Sequence, residues 1–129
     1  MVERVVATEQ AGSLIEKLIA MHGPLMFHQS GGCCDGSSPM CYPAGEFKVG
    51  GVDLRLGSLC GCDFWMWEDQ YAFFSSSQLI IDVVPGRGSG FSLEVPEGVR
   101  FLLRSRIFTE EELAELERQG PPQRGPLPG

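Results

Sequence analysis

From Leu25 to Phe108 the chain sustains no helical repeat, and this limits what it can fold into more than any other feature. Apolar residues there come in short runs or alternate with polar ones, which is the period of strands. Val52, Leu54 and Leu56 alternate with Asp53, Arg55 and Gly57. Over 99–108, Val99, Phe101, Leu103 and Ile107 predict one face of a strand, and Arg100, Arg104 and Arg106 the other. Further strands are expected at Leu25–Gln29, Glu46–Val49, Val52–Leu59, Phe64–Trp67, Gln78–Val84 and Phe91–Val95. Gly50–Gly51 reads as a two-residue hairpin turn between two of them.

Helical signals flank this region. Thr8 is placed to cap a helix reaching about His22, with Leu14, Ile15, Leu18 and Ile19 forming an apolar stripe and Gly23–Pro24 stopping it. Thr109 and Glu112 have the spacing of a capping box, which predicts a second helix from Glu110 to about Gln119. Residues 120–129 are rich in Pro and Gly, and the composition predicts a disordered tail. The expected fold is therefore α+β: one domain over 1–119, mainly antiparallel sheet closing into a small barrel or sandwich, with a helix at each end. Without strand–helix alternation a doubly wound parallel sheet is not expected.

A net charge of −7 over 129 residues argues against a nucleic-acid or anionic-membrane surface, since both require a clustered basic face. No basic stretch precedes an apolar run, and no apolar run is long enough to span a bilayer, so neither a signal peptide nor a membrane segment is read and a cytoplasmic location is expected. In that compartment five cysteines read as thiols, ligands or core residues rather than a disulfide framework.

The segment from Phe27 to Tyr42 holds His28, Cys33, Cys34 and Cys41 among several glycines. Thiolates with an imidazole suit zinc first, then ferrous iron or cuprous copper. Adjacent Cys33 and Cys34 diverge in extended backbone, so one of the pair, Cys41 and a ligand from elsewhere form the more natural set. If the strand from Val52 continues, Cys60 and Cys62 share the inward face with Leu54 and Leu56. The candidate metal ligands are His28, Cys33, Cys34, Cys41 and Cys62, with Cys60 expected to be a buried bystander. The competing reading makes the cysteines small core hydrophobes. The Gly86–Gly90 run is followed by a strand pattern rather than a helix, which favours a wide hairpin over a nucleotide-binding loop. The three arginines at 100, 104 and 106 are expected to pair with the chain's own carboxylates, and the aromatic cluster from Phe64 to Phe74 to lie in the core. No nucleophile–base–acid pattern emerges.

The segments FHQSGGCCDGSSPMCYPAGEF, QLIIDVVPGRGSGFSLE and GVRFLLRSRIF resemble the bacterial family of domain of unknown function 779. His28, Cys33, Cys34, Asp35, Cys41 and Cys62 match its pattern, and Cys60 is private to this chain. Relatives often carry a histidine where this chain has Ser76. The resemblance implies an accessory role in aldehyde or alcohol metabolism, because members are often encoded beside aldehyde dehydrogenases, and such an enzyme is the expected partner. A free-standing small enzyme and a cofactor-free interaction module are the alternatives.

Overall fold

The computed structural model describes residues 2–29, 37–86 and 92–125. In chain order the elements are β1 (Val5–Ala7), α1 (Glu9–His22), β2 (Leu25–Gln29), β3 (Met40–Pro43), β4 (Asp53–Leu59), β5 (Cys62–Trp67), α2 (Glu68–Tyr71), β6 (Ser77–Pro85), a 3-10 turn at Val95–Glu97, β7 (Val99–Ile107), α3 (Glu110–Gln119) and β8 (Gln123–Arg124).

The two long helices form where capping chemistry places them. Thr8 accepts a hydrogen bond from the Ala11 amide, and the Gly23 N–H closes α1 on the Ile19 carbonyl. Thr109 and Glu112 complete a reciprocal capping box on α3. The stripe on α1 buries Ala11, Ile15 and Leu18.

The strands form two sheets, ordered β1-β6-β7 and β3-β2-β5-β4-β8. Both are mixed. β1 runs parallel to β6, and β2 parallel to β5. The expected mainly antiparallel sheet is thus corrected, and among the described residues no barrel closes. The reason is physical: alternation reports which residues of a strand are buried, not the direction of its neighbour. In both parallel pairs other elements intervene in the chain, so no tight turn records the pairing.

The sheets meet across a common core. Phe27 of β2 lies edge-on to Phe101 of β7, with ring centres 5.4 Å apart, and stacks on Phe64 of β5. Val5, Leu79, Ile81 and Leu103 join from the three-stranded sheet, and Leu54, Leu56, Cys62 and Met66 from the five-stranded one.

Four further expectations are revised. Glu46–Val49 is not a strand, and Gly50–Gly51 is not the hairpin turn. The hairpin lies later, where β4 and β5 pair Leu59 with Cys62 around Cys60–Gly61. Both turn residues have positive φ, 50° and 81°, as a type I′ turn requires. Residues 92–95 form a turn leading into the 3-10 helix rather than a strand. The described part of the C-terminal segment carries β8, whose Arg124 and Gln123 register with Leu54 and Arg55. There a Cβ on Gly125 would stand 2.5 Å from the Gly50 carbonyl oxygen, so only glycine allows this backbone approach.

β6 and β7 are the antiparallel arms of one long hairpin, in register from Ser77–Ile107 to Pro85–Val99. Residues 87–91 of the connection lie outside the described residues. Among the described residues no helix is long and apolar enough to cross a membrane.

Candidate functional site

β2 is buried along its whole length. Leu25 and Phe27 face the core, so Met26 and His28 face away from it. They are nonetheless covered, because the segment after β3 folds back and lays Phe47 over them. The Phe47 ring centre lies 4.2 Å from that of His28 and 5.3 Å from that of Tyr42. Under this cover His28 Nε2 meets Asp53 Oδ1 at 2.7 Å, both side chains being less than a tenth exposed.

Asp53 is itself held in place. Its second carboxylate oxygen accepts the Gly50 N–H at 2.9 Å. Its backbone N–H donates to the Gly50 carbonyl, and its carbonyl accepts the Gly125 N–H. A carboxylate so fixed sets the tautomer of its histidine: with Asp53 ionised, Nε2 carries the proton and Nδ1 the lone pair. The imidazole is then oriented as a ligand or a proton acceptor. Asp53 was legible only as the polar partner in an alternating strand, and Phe47 as part of a strand that does not exist.

The other candidate residues lie elsewhere. Cys41 registers with Phe27 and faces the core, fully buried. Cys62 is buried on the same inner face, two positions before Phe64. The structure therefore sets these two thiols on the opposite face of the sheet from His28. Burial pushes the Cys41 thiol far up, with Glu94 and Cys62 adding to the effect, so it stays a neutral thiol. Cys60, expected to be buried, is exposed at the hairpin turn. A register shift between Arg55 and Gly57 breaks the alternation that would have carried it inward. Cys33, Cys34 and Asp35 lie outside the described residues.

Beside Cys41 lies a polar group that the sequence did not announce. The Cys41 N–H donates to Ser92 Oγ at 2.8 Å, and the Leu93 N–H donates to the Cys41 carbonyl. The Ser92 hydroxyl donates to one oxygen of Glu94. Glu94 is fully buried and its other oxygen meets no donor among the described residues. Burial raises its carboxyl above the usual range.

Among the described residues no three His, Cys, Asp or Glu side chains are grouped to hold a metal ion. Ser76 is exposed just ahead of β6, its carbonyl accepting the Phe108 N–H. The arginines of β7 pair within the chain: Arg104 with Asp82, Arg106 with Glu112, and Arg100 with the Ser38 hydroxyl. Of the aromatic cluster, Phe64 and Phe74 are core and Phe73 is exposed.

A family model described as a domain of unknown function (DUF779) matches residues 14–107. The chain belongs to the DUF779 family. The matched span runs from α1 to the end of β7 and so contains the His28–Asp53 pair, Cys41 and Cys62. No curated protein and no solved structure matches the chain.

Proposed function

We propose that this DUF779 protein is an accessory protein whose chemistry sits at His28 with Cys33 and Cys34, that the site binds zinc, and that the protein acts beside an aldehyde dehydrogenase. The observation that carries the site is the buried His28–Asp53 pair. A metal-bound histidine ordinarily gives its second ring nitrogen to a carboxylate, and here that arrangement is built into the sheet. Cys33 and Cys34 follow His28 by only five and six residues, and thiolates with imidazole suit zinc. Cys41 and Cys62, facing the core, serve packing in this reading. The partner is supported by the family resemblance alone, which is an association rather than a mechanism.

Elemental analysis of untagged protein purified without chelators tests the site. The parent should carry about one zinc per chain, with fewer than four of its ligands among the residues named here and the remaining position open. His28→Ala and the double replacement Cys33→Ser with Cys34→Ser should each lose most of it, and Cys41→Ser should keep it. A metal-free parent, or full zinc in His28→Ala, defeats the reading. Recovery of an aldehyde dehydrogenase with the tagged protein from its native host tests the partner, and a preparation without one counts against it.

A further inference from the structure

The chain is acidic, with 17 Asp and Glu against 10 Lys and Arg, so a guanidinium has no shortage of carboxylates to pair with. Five arginines do so: Arg55, Arg104, Arg106, Arg118 and Arg124. Arg4 does not. It is half-buried, and among the described residues no carboxylate stands within ion-pair distance. Its terminal nitrogen donates to the Gly120 carbonyl, while its Nε is buried and meets no acceptor. A guanidinium with no carboxylate partner keeps its charge unbalanced, and its terminal N–H groups can take an anion.

Arg4 lines a cavity of about 300 Å³ between the N-terminal segment, β4 and the segment after α3. Val2, Val5, Leu56, Pro121 and Pro122 form an apolar side of the cavity, and the rest of its lining is mainly polar. Gln119 ties two of these walls together, exchanging hydrogen bonds with both the N–H and the carbonyl of Val2. Arg55 also reaches the cavity, but its Nε is committed to Asp63. Glu3 is at the rim and exposed.

We infer that this cavity binds a small amphipathic carboxylate, its head on the Arg4 guanidinium and its hydrocarbon body against Val5, Leu56 and the two prolines. Guanidinium matches a carboxylate through paired N–H donors, which a neutral head group cannot reproduce. The volume lies at the small end of ligand pockets, which limits the body to a short chain or a single ring.

The test uses the full chain with a free N-terminal segment, and hexanoate, 1-hexanol and inorganic phosphate as probes. Titration followed by amide NMR should show hexanoate shifting Val2, Leu56 and Gln123 before other residues. Hexanol and phosphate should bind at least tenfold more weakly, one lacking the charge and the other the apolar body. Arg4→Gln should weaken hexanoate about tenfold or more, the worth of a charged hydrogen bond, and Arg4→Lys should fall between. Because the NMR map is read on the parent, it holds even if Arg4→Gln folds poorly. The inference is overturned if hexanoate leaves these amides unmoved at millimolar concentration, if hexanol binds as well, or if phosphate alone binds as well as hexanoate.

Discussion

On the outer face of the three-stranded sheet, Arg104 and Arg106 stand in solvent and meet Asp82 and Glu112 there. On the outer face of the five-stranded sheet, His28 meets Asp53 under the Phe47 ring. Both faces bear paired charges or dipoles, yet the consequences differ. A solvated pair is screened and contributes little. A buried pair is costly to break, because the survivor is left desolvated. The difference arises from one loop. Residues 44–52 cover the second face, and among the described residues nothing comparable covers the Arg104–Asp82 pair.

The strongest test of that contrast is Asp53→Ala. It strands His28 in a dry site and releases the Gly50 amide, so unfolding free energy should drop by about 3–5 kcal/mol in urea titration. A loss below about 1 kcal/mol would place the pair with the solvated class. Phe47→Ala should bring His28 toward solvent and make the same Asp53→Ala change less costly, which a double-mutant cycle reads directly.

Glu94 extends the comparison to the inner face, where it takes the Ser92 hydroxyl and stands near Cys41. Its folded pKa is raised by burial, so the neutral acid is the form that suits the fold. Its contribution is intact below the ordinary carboxylate range and is lost as pH rises through the raised value. Glu94→Gln should therefore be close to the parent in stability near pH 4 and gain on it as pH increases. A gap that stays flat from pH 4 to pH 9 would contradict this. Glu112 has the opposite sign. Arg106 and the Thr109 amide hold it down to about 2, so its contribution is present at neutral pH and fades only below the ordinary carboxylate range.

Cys60 gives a smaller effect. A side chain at φ 50° in this turn is better served by Asn, which tolerates the left-handed region. Cys60→Asn should stabilise by about 0.5–1 kcal/mol in urea titration. A loss would show that the thiol's position over Gly12 contributes to packing. The smallest effect belongs to Arg104→Ala, expected within about 1 kcal/mol and smaller still at high salt.

What was readable in the sequence follows from the range of the interactions involved. Caps act within one turn, so Thr8 and Thr109 marked α1 and α3 correctly. The strands β6 and β7 were readable from their apolar residues, but their pairing was not, because the expected strand at Phe91–Val95 stood between them and proved to be a turn. The parallel pairs β1–β6 and β2–β5 were not, since no local residue records a partner that distant. His28 was recognised by type, but its partner Asp53 is 25 residues away and looked like any outward-facing strand residue. Glu94 and Ser92 were invisible for the same reason: their role depends on Cys41, 51 residues from Ser92. Cys60 was misplaced because the register shift between Arg55 and Gly57 inverts the alternation over the rest of β4, up to the turn.

The parallel union of β1 with β6 has a consequence for synthesis. Val5 pairs with Leu79, so the first strand leaves the ribosome long before its partner exists. At ~5–20 residues per second it waits roughly 4–15 s. During that interval Val5 and Val6 are an unpaired apolar edge, open to chaperones and to other nascent chains. Folding of this sheet is therefore held until β6 is made, and the yield of native protein should respond to translation speed across codons 8–78 more than to changes downstream of β7.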